Sequence, residues 1–402
     1  MPGNNLLKKV VDRVNDARAR HRERHKASGY GFAFADSIAY LPEAHWDVAA
    51  ASGGFFMSRP YLQILEQTCS SQLRQRYALI YLGARPLAAV CIQMGEISAA
   101  QFNKQRSKLR GGLERIRARY LICGNLLSWG QHGVSFAPGI EPVAVWPAVA
   151  EALYRIRRSE KLIGETDLVM VKDIAEPEMP DSKPLRRYSY RSASTGPNMI
   201  LTFSPQVKSF EDYLASLNNR YRKSAKQILK EIDAGGCTVE TLKDLPAHAD
   251  ALHRLYLQVH EKAKVRPVTL PANYLSALAG VAGAGLRCTV IRKDGAIIAF
   301  VTTLKDGDTA IGYFLGLDYA LNAQFPLYFR LLLAVVQDAI ELGCRTLSLG
   351  RTALEPKAKL GAKPVELKVW LRHRIPALNY LMRNLLVAVP HETAPERNPF
   401  KS

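Results

Sequence analysis

The chain has 402 residues, 48% of them hydrophobic and 23% charged, which is enough apolar material for a packed core and too much for a disordered chain. Lysine and arginine (55) outnumber aspartate and glutamate (36), and the formal charge of +19 draws anionic partners: a phosphorylated cofactor, a tRNA or an acidic membrane surface. No apolar run approaches the ~20 residues of a membrane-spanning helix, the first residues lack the apolar stretch of a signal peptide, and the six cysteines fit no zinc or redox spacing. The expectation is a cytoplasmic protein with reduced thiols, in contact with the inner face of the membrane at most peripherally.

Residues 1–28 read as a basic helix that frays into a tail, with Leu6, Val10 and Val14 at helical spacing before an almost wholly charged stretch. Globular text begins near residue 46. FFMSRPYLQILEQ predicts a helix with Pro60 in its first turn, and RYALIYLG and PLAAVCIQMG predict two strands turning around Ala84-Arg85-Pro86. A basic insertion follows, carrying Lys104, Arg106, Lys108, Arg110, Arg115, Arg117 and Arg119, a composition that neutralises phosphates without reading sequence. YLICGNLLSW is then a strand, GQHGVSFAPGIEP a loop, VAVWPAVAEALYRIRR a helix with Pro147 in its first turn, and DLVMVKDI a closing strand. These elements make residues 46–175 one domain, and the proline- and serine-rich residues 176–198 a linker.

The second domain is expected over residues 199–390, ahead of a tail at 391–402. It opens with strand MILTF and a long helix from Ser209, capped by Asp212 and ended by Gly235-Gly236, whose outer face bears Arg222, Lys226 and Lys230. Helices DALHRLYLQVHEKAK and PANYLSALAGVAG lead to strands RCTVIRK and AIIAFVTTLK, joined at Asp294-Gly295 as a hairpin. A third strand, DTAIGYFLGLD, the helix PLYFRLLLAVVQDAIELG and a strand RTLSLG follow. KPVELKVWLRHR reads as another strand and RIPALNYLMRNLLVAV as a final helix with basic flanks.

The two halves repeat one order: helix, paired strands, third strand, loop, long helix, strand. That order, with SLNNRYRKSAKQILKEI, GYFLGLDYALNAQFPLYFRLLLAVVQDAIELGCRTLSLGRT and the KAKLGAK after it, resembles the Fem-like branch of the GNAT acyltransferases. The resemblance implies an α/β (α+β) fold of two tandem GNAT-like domains, each a mixed, mostly antiparallel sheet flanked by helices. It implies an N-acyltransferase that joins an acyl donor to an amine acceptor by direct attack, with acyl-CoA (acetyl-CoA) as co-substrate and no permanently bound cofactor. Aminoacyl-tRNA is the competing donor, as in Fem-type aminoacyltransferases of peptidoglycan synthesis. A different class of reading is a non-catalytic GNAT-like module that binds anionic lipid or RNA. One departure stands out: the segment before the long helix, DYALNAQFP, has no glycine between Asp318 and Pro326, where such enzymes hold the donor pyrophosphate on bare backbone amides.

No nucleophile elbow occurs, which fits direct attack. For proton transfer the sequence offers His260, Glu261, Asp318 and Tyr313. For the donor's charge it offers Arg351 and Lys359 after the last strand of the repeat, Arg222 and Lys226 on the basic helix, and Asn322 and Gln324 in the turn before the long helix.

Overall fold

The computed structural model describes residue 15 and residues 26–98, 117–263, 266–387 and 395–401. The expected basic leader helix and the Lys104–Arg115 cluster lie outside the described residues. The described strands, in chain order, are β1 (Gly31–Ala35), β2 (Arg74–Leu82), β3 (Arg85–Ser98), β4 (Arg117–Cys123), β5 (Val134–Phe136), β6 (Leu168–Ala175), β7 (Arg191–Ser194) and β8 (Asn198–Thr202). They continue with β9 (Cys237–Thr241), β10 (Leu286–Lys293), β11 (Ala296–Asp306), β12 (Thr309–Leu317), β13 (Thr346–Ser348), β14 (Lys363–Val365) and β15 (Leu367–His373).

Two sheets result, ordered β1-β2-β3-β4-β6-β15-β7, with β5 on β3, and β9-β10-β11-β12-β13-β8-β14. Each has one parallel pair among the described strands, β4 with β6 and β12 with β13, so the repeat seen in the sequence is a repeat of topology. The local signals act as their chemistry requires. Asp294 and Gly295 both take positive φ (50° and 78°) to close the β10–β11 hairpin. Ser209 and Asp212 form a complete capping box.

Three local expectations need correction. The helix from Ser209 breaks at Leu217, and Asn218 caps a second helix, Asn219–Ala234, through the Tyr221 amide. Pro147 lies in the second turn of a helix that starts at Pro142, because Pro142 takes the first-turn place that suits proline. KPVELKVWLRHR divides at Glu366 into β14 and β15, and the two go to different sheets.

That division is the main difference from a simple tandem. β15 sits between β6 and β7 in the first sheet, with Leu367 opposite Ala175 and His373 opposite Leu168, although the sequence reading placed it in the second domain. β8 follows β7 after three residues yet pairs with β13 in the second sheet. Among the described strands the chain thus crosses between the sheets twice, β7 to β8 and β14 to β15, and the crossings run side by side: β7 pairs β15 and β8 pairs β14. Between them the Thr195 N–H donates to the Leu367 carbonyl at 3.1 Å. The expected linker therefore contributes an edge strand, and β1, ahead of residue 46, pairs with β2.

Helix Pro142–Ser159 covers the first sheet and the apolar helix Leu327–Glu341 the second. A third core spans both halves, joining Phe56, Tyr61 and Leu65 to Tyr274, Phe300 and Tyr313. All six cysteines are free and buried. Trp370 of β15 is fully buried in the first core, with its indole N–H on the Ser182 hydroxyl at 2.8 Å. Trp370→Ala is expected to cost about 3–5 kcal/mol. In urea unfolding it should shift one common transition for both halves; two separate transitions, with one unmoved, would contradict the interlocked architecture.

Candidate functional site

A β-bulge opens the second sheet. The β11–β12 register shifts between Val301 and Thr303, and the Thr302 hydroxyl fills the gap, accepting from the Phe314 N–H and donating to the Phe314 carbonyl, both at 3.0 Å. β12 pairs with β13 only from Thr309 to Ile311. Beyond that the strands splay, and a cavity of about 790 Å³ lies in the opening, lined by Gly312–Leu315 on one side and Leu349–Ala353 on the other. Helix Ala249–Lys262 forms another wall. It approaches β12 at Gly316, where a Cβ would meet the Leu255 and Tyr256 backbone at 2.5 Å, so only glycine permits this contact. The first half supplies Leu126, Ser128, Trp129 and Lys172, which makes the cavity a joint product of both halves.

Three basic side chains line this mostly apolar space. Arg351 donates from Nη1 to Asp173 Oδ1 at 2.8 Å and from Nη2 to the Thr195 carbonyl. Lys172 shares Asp173 and donates to the Ser128 carbonyl at 2.8 Å; burial lowers its pKa, offset by Asp173. Asp173 is fully buried at φ 54°, a conformation unusual for a side-chain-bearing residue and fixed here by the two cations. The third, Lys357, is 5% exposed and has no hydrogen-bond or ion-pair partner among the described residues. Burial in apolar surroundings pulls its pKa from 10.5 to about 7, so a large fraction of it is a neutral amine at physiological pH.

Hydroxyls also converge. The Leu127 N–H and the Gln93 amide fix Asn125 Oδ1, which turns Asn125 Nδ2 to donate to Tyr61 Oη at 2.8 Å. Tyr61, Tyr274 and Tyr313 then form a chain at 3.3 Å and 2.8 Å. In the orientation in which Tyr61 donates to Tyr274 and Tyr274 to Tyr313, the Tyr313 hydroxyl hydrogen is left to donate to a bound group. Desolvation raises the Tyr313 pKa well above its ordinary value and keeps it protonated. His260, also on the wall, bonds Tyr256 Oη at 3.0 Å and Thr269 Oγ1 at 2.9 Å, and burial lowers its pKa.

The structure thus brings together Tyr313, His260, Arg351 and Asn322 from the residues singled out in the sequence. Asn322 Oδ1 accepts from the Tyr328 N–H at 3.0 Å, capping the first turn of helix Leu327–Glu341. Asp318 caps the turn before it, accepting from the Ala320 and Leu321 amides at 2.8 and 3.2 Å. Glu261, Gln324 and Lys226 are exposed and lie off the cavity wall, as does Arg222. Lys359 pairs with Glu355 at 3.6 Å and lines a smaller neighbouring cavity. The residue missed was Lys357: only Arg351 and Lys359 were singled out after the last strand, and the segment Leu354–Lys359 between them is helical. Leu354, Lys357 and Ala358 share the buried face of a short helix, and that i, i+3, i+4 spacing was the available signal.

Residues 216–358 match the acetyltransferase (GNAT) domain family. Comparison with the curated proteins finds no match. Among solved structures, FemX superposes with a TM-score of 0.56 at 11% identity, covering 86% of this chain and 99% of its own. A tandem GNAT protein from the clavulanic acid biosynthesis pathway gives 0.50 at 12% identity, with the same coverages. These likenesses establish the fold.

The depressed Lys357 pKa has a sign. Its folded value lies below the unfolded one, so it weakens the native state fully below pH 7, and the effect fades as pH rises toward 10.5. Lys357→Met is expected to stabilise the protein by about 1–4 kcal/mol at pH 6 in denaturant titration, and by less at pH 9. Destabilisation at both values would mean that the amine has a partner.

Proposed function

With the Fem-like tandem GNAT fold and a GNAT acetyltransferase domain at residues 216–358 as premises, we propose that the chain transfers an acyl group from acyl-CoA to an amine in the β12–β13 splay. The carrying observation is a buried lysine in the wall of that cavity, with a pKa near 7 and no partner among the described residues. The amine lone pair attacks the thioester carbonyl carbon, the carbonyl π electrons move to oxygen, and the amine proton passes to neutral Lys357 Nζ. The tetrahedral species then collapses to an amide and expels the thiolate. Tyr313, neutral and fed by the tyrosine chain, donates a hydrogen bond to the carbonyl oxygen as charge builds there. Arg351 and Lys172 leave an excess of one positive charge over Asp173, suited to an anionic group of donor or acceptor. His260, with both ring nitrogens engaged, holds Tyr256 in the wall.

A second reading, aminoacyl-tRNA as donor, is favoured by one observation. Asn322 already occupies the Tyr328 amide, so the helix N-terminus has fewer free donors for a pyrophosphate. Thermal shift separates the two: acetyl-CoA is expected to raise the melting temperature, and a response to aminoacyl-tRNA alone would move the assignment to the second donor.

Lys357→Met is expected to lower kcat by about 10²–10⁴-fold while the protein stays folded. For the wild type, kcat rises with pH through about 7 and then levels off, and the variant loses that limb. Unchanged turnover or an unchanged profile would remove Lys357 from the chemistry.

A further inference from the structure

The first turn and a half of the C-terminal helix Pro376–Val387 is built inside out. Its inward residue is polar: Asn379, 7% exposed, accepts from the His373 N–H at 2.8 Å and donates to the Ser189 carbonyl at 2.9 Å. Its outward residues are apolar: Leu378 and Leu381 are exposed, and Tyr380 is 73% exposed. Ile375 precedes them, also exposed. A soluble helix normally has the reverse arrangement.

A second apolar element sits beside it. Leu162, 99% exposed, and Ile163, 56% exposed, lie in the turn before β6. That turn is held to the start of the helix by Arg374, which pairs with Glu165 at 2.6 Å and Asp167 at 2.7 Å, and whose N–H donates to the Asp167 carbonyl at 2.8 Å. Leu168 opposite His373 puts both elements at one end of the first sheet. This is the end away from the cavity, which Lys172 near the other end of β6 lines. The rim is cationic: Arg157, Arg158, Lys161, Arg372 and Arg374 lie with Glu165 and Asp167, and Lys26 and Arg155 adjoin them with Glu151, seven positive charges against three.

We propose that this end of the first sheet docks on an anionic lipid bilayer, with Leu162, Ile163, Leu378 and Leu381 entering the interface, Tyr380 at headgroup depth and the arginine rim on lipid phosphates. An apolar face with an aromatic and a basic border is the arrangement of an interfacial helix, and each basic residue near an acidic surface adds about 1 kcal/mol. Among the described residues no helix is long and apolar enough to cross a membrane. By charge, the chain's own first 25 residues are a poorer complement to the rim than an anionic surface is. The residue that follows them, Lys26, lies in the rim, next to Arg158 and Arg372. Their sequence is itself basic, with seven lysines and arginines from Lys8 to Arg24 against Asp12, Asp16 and Glu23. Like charges repel, and the complement of a cationic rim is an anionic surface.

The test is co-sedimentation of the full chain with phosphatidylcholine vesicles, with and without phosphatidylglycerol. Binding is expected only to the anionic vesicles, falling about tenfold or more in Leu162→Glu/Leu378→Glu and in high salt. Circular dichroism and the melting temperature should not change, because both side chains are exposed. Anionic-vesicle binding that the double substitution leaves intact overturns the proposal. So does absence of vesicle binding, whether the substitutions instead abolish tRNA binding in a gel shift or dissociate a dimer in light scattering.

Discussion

Hydrogen bonds between two crossing segments hold this molecule in its working shape. β7–β8 and β14–β15 pass from one sheet to the other side by side, and each sheet takes its sixth strand from a segment that enters from the other sheet. Neither sheet is complete when cut from the other, and the cavity forms where they meet. Arg351, just after β13, reaches Asp173 at the end of β6 and the Thr195 carbonyl at the crossing itself. One buried carboxylate thus fixes the wall that faces the splayed end of β12. Trp129, donating from its indole to Ser348 Oγ at 2.7 Å, closes the same wall from the first half.

This arrangement explains why the first half is more than a partner surface. Tyr61 belongs to its helix Arg59–Cys69, yet Tyr61 completes the hydroxyl chain to Tyr313 in the second half. The Asn125 amide that donates to the head of that chain also comes from the first half. The chemical groups of the proposed reaction are therefore positioned by residues far apart in sequence, and their geometry depends on the crossings staying paired.

Much of the fold was legible because it is local. The capping box at Ser209, the Asp294-Gly295 turn and the apolar stripe of helix Leu327–Glu341 are each set by a few neighbouring residues, and they formed as their chemistry dictates. The destination of β15 was not legible. Its apolar alternation marks a strand, but the partner is chosen by long-range pairing, and nothing local tells one half-built sheet from the other. The site divides along the same line. Arg351 follows from a strand end and Tyr313 from its place on the third strand, whereas Lys357 and Lys359 differ only by the ~200° that two helical residues subtend. That rotation buries one amine in an apolar cavity and leaves the other half-exposed on Glu355. Asp318, an acid at the right strand end, is taken up as a cap by the turn it begins.

The central claim is that acyl transfer occurs in the opening between β12 and β13, beside a neutral lysine. A crystal structure with a non-transferable acyl-CoA analogue tests it most directly. The account predicts the acyl carbonyl between Gly312–Leu315 and Leu349–Ala353, within reach of Lys357 Nζ and the Tyr313 hydroxyl. An analogue bound instead at the corresponding β4–β6 pair of the first sheet would contradict it.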